Sequence, residues 1–251
     1  MQQRPTQSDF YRLGAGAVLI GGVLAIVFNL LHPRTSGALS NTRAELKMVA
    51  ESDIWKLDHI MLGIAVAVIS VGVIAIALSM FGTQGDAWAR AWLIFSAVST
   101  GVVIVLLAID GTAIKSLADD WAKSGDDPAA FSAAKAVVEI NGALLRTSIL
   151  LQFGLSPLLF GMAVWASGTY PKAIAQAAFG AGAVGITAGL WIAAAGYSNI
   201  PLNILFPIAS LLYTILLMWA GWHLWQTHAT LGSSGGTTTP TRTETTITPG
   251  L

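Results

Sequence analysis

The chain has 251 residues, of which 54% are hydrophobic and 10% charged, against roughly 25% charged in an ordinary soluble domain. Thirteen basic residues balance thirteen acidic ones and cysteine is absent. The charge balance gives no pull toward nucleic acid, and the missing thiols exclude disulfides, thiol redox chemistry, iron–sulfur clusters and cysteine-ligated zinc. With a mean hydropathy of +0.67, the composition describes a polytopic membrane protein rather than a soluble enzyme.

After an N-terminal segment, 1–12, come six uncharged runs: Leu13–Leu31, Ile60–Phe81, Ala91–Ile109, Thr147–Trp165, Ala173–Ala195 and Pro201–Trp222. Each is long enough to cross a hydrocarbon core of about 30 Å. Lipid offers backbone N–H and C=O groups no water, so these runs are expected as helices. The fold class is therefore all-α: a six-helix transmembrane domain over 13–231 with both termini on one side. Arg4 and Arg12 before the first run, and Ala38-Leu39-Ser40 after it, resemble a secretory signal. The run is longer than a signal core, and it is read as a retained first helix.

The connections alternate short and long. Gly82–Arg90, Ala166–Lys172 and Gly196–Ile200 are tight, whereas the stretches between His32 and His59 and between Asp110 and Arg146 hold most of the charge. Thr42-x-x-Glu45 resembles a capping box opening a short helix. Ala113, Ile114, Leu117, Ala118, Trp121 and Ala122 recur at helical spacing, so the third span is expected to continue beyond the membrane. Ser124-Gly125 stops it, and Asp127-Pro128 starts a helix running into span four. The segments 33–58 and 111–145 should form a small helical cap on one face.

Basic residues number eight on the cap side (Arg34, Arg43, Lys47, Lys56, Lys115, Lys123, Lys135, Arg146) and five on the side of the termini (Arg4, Arg12, Arg90, Lys172, Arg242). The raw tally favours a cytoplasmic cap. The cap's basic residues are matched by acids, however, and the reading adopted is an inner-membrane protein with cytoplasmic termini. Phe10, Tyr11, Phe81, Trp88, Trp92, Trp165, Tyr170, Trp219, Trp222 and Trp225 fall at one end of their helices, as an interfacial belt requires. The Gly/Ser and Thr/Pro-rich tail 232–251 has too little apolar surface to fold.

Chemistry-bearing residues gather where the cap meets the bilayer. Hairpin connectivity brings His32, Asp58, His59, Asp110, Asn141 and Arg146 to one depth, where charge must be solvated, snorkelling or paired. Asp110 and Arg146 bracket the long hairpin, which makes an ion pair between them the simplest expectation, with Glu139 as the competing partner. His32 and His59 could ligate haem iron or a divalent metal, and Glu51, Trp55 and Asp58 or His59 share a helical stripe from which an acid could orient a histidine. His223 and His228 are five apart and poorly placed to share one ion. Gly185-x-x-x-Gly189, with Gly182, permits close helix contact.

No phosphate loop, nucleophile elbow, paired zinc-protease histidines or calcium loop occurs, so no residue is assigned a catalytic role. Mid-membrane positions hold no charged residue, which argues against ion-coupled transport. The expected function is that of an integral membrane protein whose polar pocket at one face binds a small or lipid-derived ligand. Alternatives are a haem or metal redox protein ligated by His32 and His59, or a structural subunit of a membrane assembly. The expected partners are membrane lipid, a small-molecule ligand and a homo-oligomer or membrane complex, without nucleic acid.

Overall fold

The computed structural model describes residues 7–33, 41–195 and 200–233. The Ala38-Leu39-Ser40 site, the connector at 196–199 and the tail from 234 onward lie outside the described residues, as do Arg4, Arg34 and Arg242. Among the described residues the chain is helical, without strands. The helices are α1 (Gln7–Leu31), α2 (Thr42–Glu51), α3 (Trp55–Leu78), α4 (Asp86–Ala108), α5 (Lys115–Lys123), α6 (Pro128–Ser148), α7 (Ser156–Ser167), α8 (Lys172–Ala195) and α9 (Phe206–Ser233). Three wider π turns, Ile109–Ile114, Ile149–Leu155 and Pro201–Leu205, join α4 to α5, α6 to α7 and lead into α9.

Six helical stretches are long and apolar enough to cross a membrane. The third runs unbroken from Asp86 to Lys123 and the fourth from Pro128 to Ser167, so the tall hairpin foreseen from the sequence is present. Its tip follows the expected chemistry. Gly125 and Asp126 turn the chain at positive φ, and the Asp127 carboxylate accepts from Ala130 N at 3.0 Å, with Pro128 in the first turn. Two of the π turns lie just ahead of a proline. Pro157 and Pro207 have no N–H to offer the carbonyls four residues back, Phe153 and Asn203, and the wider turns accommodate those carbonyls.

The spans pack in a ring. α1 lies against α3, α3 against α4, α4 against α7, α7 against α8, α8 against α9, and α9 closes back onto α1. The start of α1 therefore meets the end of α9, where Arg12 lies 5.6 Å from the Trp225 ring and Tyr11 stacks on His228. The core fills the ring with Val18, Ile76, Met80, Trp92, Phe160, Ile174, Tyr213 and Leu217. Gly185 and Gly182 let α8 close onto the π turn and α7: a Cβ at Gly185 would overlap the Phe153 carbonyl. The glycine motif thus serves packing within the chain.

Three local expectations change. Helix α2 begins one residue earlier than a Thr42 cap implies, because Asn41 Oδ1 accepts from Arg43 N and Ala44 N; Glu45 is thereby released from capping. The stripe joining Glu51 to Trp55 and Asp58 is interrupted between α2 and α3, and Glu51 pairs with Lys47 at 3.8 Å. The aromatic belt is thinner than expected. Trp88, Trp165, Trp219 and Trp222 are exposed, whereas Trp92, Tyr11 and Tyr170 are buried.

Trp92 belongs to a hydroxyl network inside the ring. Its Nε1 donates to Ser156 Oγ and Tyr213 OH, both at 3.2 Å. Ser96 and Tyr213 each meet Ser156 Oγ, at 3.0 and 2.8 Å, and Ser99 donates to Gln152. In lipid such bonds between helices are worth about 0.6–2 kcal/mol each.

Gly185→Ala is expected to destabilise the protein by about 1–3 kcal/mol through overpacking. Gly180→Ala, where a Cβ meets nothing within 4 Å, should be neutral or stabilising. Thermal unfolding of the two variants in detergent checks the contrast.

Candidate functional site

The site is built where α1 ends, α3 begins and the third span passes through its π turn. Tight α1–α3 packing sets the register: a Cβ on Gly72 would overlap Val18, and one on Gly14 would overlap Ala75. Small residues bring the two backbones together along most of their length. His32, just past the end of α1, therefore arrives directly over the first turn of α3.

There His32 Nδ1 donates to Asp58 Oδ2 at 2.7 Å across 26 residues of sequence. Asp58 is 1% exposed, and its Oδ1 has no partner among the described residues. His59, also buried, donates from Nδ1 to Trp55 O at 2.8 Å. That bond leaves His59 Nε2 facing Asp110 Oδ2 at 3.4 Å. A ring nitrogen and a carboxylate oxygen facing each other form an ion pair when the imidazole carries its second proton, and otherwise offer two lone pairs to another cation.

Trp55 is the platform under this group. It is 4% exposed, with ring centroids 5.1 Å from His32 and 4.8 Å from His59. Its Nε1 donates to Asp110 O at 2.9 Å. The π turn helps here, because a widened turn frees main-chain acceptors from the regular ladder. Gly111 is the residue that permits the approach, since a Cβ there would overlap the His59 Cβ.

The cap forms the roof. Leu46 and Val49 of α2, Ile114, Ala118 of α5 and Ala134 of α6 form a small core with Trp55. Half-buried Glu45 hangs beneath it, close enough to feel Asp110 and Glu139. Loss of water on burial, followed by repulsion from those two carboxylates, pushes its pKa up to about 7.

Four of the six residues selected from sequence therefore form one compact group: His32, Asp58, His59 and Asp110. Asn141 is buried on α6 with its Oδ1 unpartnered among the described residues. Arg146 donates from Nε to Gly142 O at 3.3 Å. At Asp110 the partner is His59, and Glu139 acts on Glu45. The sequence pattern missed Trp55 as a platform, Gly111 as a spacer and Glu45 as a third carboxylate; the adjacency of Asp110 and Gly111 was the one local signal. At the opposite end His223 and His228 stand apart, each against a different tyrosine, Tyr170 and Tyr11.

Two hollows lie at this end. The larger, about 520 Å³, is an open groove on the cap's flank. It is lined by Arg43, Lys47, Glu51, Trp121 and Asp126, and Arg43 is already paired with Asp126 and stacked on Phe131. The smaller, about 70 Å³, is lined by Phe28, Leu31, Ile54, Leu57 and Asp58. Leu31, Ile54 and Leu57 are exposed on the apolar flank, so this hollow leads from the lipid side to the buried carboxylate.

Haem does not fit. The two imidazoles lie edge to face with centroids 5.1 Å apart, too close to admit a porphyrin between them. The hollow beside them is well below the roughly 300 Å³ at which organic cofactor sites begin. Three donors suited to a single ion, from His32, Asp58 and His59, do lie within 4.8 Å of one another. Comparison with known proteins finds no matching family model, no matching curated protein and no matching solved structure. The fold and site define a six-span helical membrane protein with a capped polar group at one end.

Glu45 retains its proton in the fold over a range where the unfolded chain, near 4.5, has released it. The stability this gives is complete below the unfolded value and is lost as pH rises through about 7. Melting temperature in detergent should fall between about pH 5 and pH 8. Glu45→Gln should flatten that slope and melt higher than the parent at the upper end.

Proposed function

We propose that the protein binds a small ligand in the polar pocket at the cap end, and that the ligand reaches it from the lipid phase. The observation that carries this reading is Asp58: a carboxylate 1% exposed whose Oδ1 has no partner among the described residues, at the inner end of an apolar hollow between α1 and α3. An unsatisfied buried acceptor is costly, and a ligand donor or cation would relieve it. Functional groups of this kind persist where binding, rather than folding, requires them.

The hollow of about 70 Å³ holds only the polar head of such a ligand. An apolar remainder would lie along Leu31, Ile54 and Leu57, which suits a lipid-derived molecule. His32, His59 and Asp110 supply the hydrogen-bonding surround, and the cap closes it from the aqueous side. In this reading the protein sits in an inner membrane with cytoplasmic termini, and its action is at the cap face. A purely structural role for the group would not need an orphaned oxygen beside an opening.

Small molecules and lipids extracted from purified wild type and from Asp58→Asn, compared by mass spectrometry, test the proposal. One species enriched in the wild type and lost from the variant is expected, with both proteins folded by size-exclusion chromatography. Identical profiles from the two would favour an assembly subunit whose polar group only holds its helices.

A further inference from the structure

We infer that His32, Asp58 and His59 form a binding site for one divalent transition-metal ion of the zinc type, so that the ligand pocket is a metal pocket. The inference rests on the reading that this group binds something, and it names what is bound first.

Donor chemistry comes first. One atom from each of the three residues already lies within 4.8 Å of the others. Tetrahedral zinc, with bonds of about 2.0–2.2 Å, holds neighbouring donors a little over 3 Å apart. Side-chain adjustment alone closes that difference. Two imidazoles and a carboxylate, without thiolate or thioether, suit Zn²⁺ and its borderline neighbours rather than Cu⁺ or Ca²⁺.

Orientation is the second line. Metal-ligating histidines are held by a hydrogen bond from the ring nitrogen that does not face the ion, made to a carboxylate or a backbone carbonyl. His59 carries that bond, from Nδ1 to Trp55 O at 2.8 Å, while His32 Nδ1 and Asp58 Oδ2, 2.7 Å apart, are themselves two neighbouring donors that one ion can share in place of a proton. The His59 ring is thereby oriented with Nε2 turned away from Trp55 O. Asp58 keeps a second oxygen, Oδ1, buried and without a partner among the described residues, to offer an ion.

Charge is the third. Asp110 Oδ2 stands 3.4 Å from His59 Nε2. With Asp58 it places two carboxylates around the two imidazoles, which matches the charge of a divalent cation. Three protein donors leave a tetrahedral ion one open position for water or a ligand. The polar head of a molecule entering past Leu31 and Leu57 would take that position.

The full-length protein, purified in detergent and stripped with chelator, is titrated with Zn²⁺ and with Co²⁺. One equivalent is expected to bind, and cobalt should show the visible absorption of a low-coordinate nitrogen–oxygen site. His32→Ala and His59→Ala should each weaken binding by at least about tenfold, while His223→Ala and His228→Ala leave it unchanged. Asp110→Asn, which removes no proposed ligand, should weaken binding less and guards against misfolding of the histidine variants. Absence of stoichiometric binding, or loss only in the His223 and His228 variants, overturns the inference. If metal fails to bind yet Asp58→Asn still loses an extracted organic ligand, the pocket stands and the metal falls; if both fail, both readings fall.

Discussion

Close contact between α1 and α3 is the constraint on which the rest depends. Where Gly14 meets Ala75 and Gly72 meets Val18, no additional carbon fits, so the two helices have essentially one register. That register sets the end of α1 over the beginning of α3 and makes the short His32–Asp58 bond possible. In lipid the hydrophobic effect does not draw helices together, and packing of small residues supplies much of the association. A lower-precision seam would leave a buried carboxylate and two histidines near one another without fixing which nitrogen faces which oxygen.

The π turn at Ile109–Ile114 adds the second half of the site by changing what a helix can present. A regular helix would keep the Asp110 carbonyl within its own ladder; the widened turn lets Trp55 bond to it while Gly111 rides against His59. The cap is then held by its own small core around Leu46 and Ile114. Backbone irregularity in a spanning helix is tolerated where it is buried in protein or lines a cavity, and Gly111 and Ile114 of this turn are buried.

The architecture was largely legible because its signals are local. Hydrocarbon thickness sets span length, and the Asp127-Pro128 start and Gly125 stop mark the tip of the long hairpin. Depth alone brought His32, Asp58, His59 and Asp110 together, since hairpins return the chain to the same level. Partner choice was not legible. Hydropathy carries no information on hydrogen-bond register, so the π turns were invisible, and with them the approach of Asp110 to His59. The depth of Trp92 near the start of α4 suits an interfacial anchor; rotation about the helix axis, which depth does not encode, turns it inward to Ser156 and Tyr213.

That inward rotation bears on how the chain is assembled. Trp92 and Ser96 enter the membrane with the third span, but their acceptors arrive only with Ser156 on the fourth and Tyr213 on the last. Until α9 is in place the indole N–H lacks its Tyr213 partner in hydrocarbon. A nascent chain truncated before its final helix would thus display polar groups to lipid, a mark by which membrane quality-control machinery can tell an unfinished bundle from a closed one.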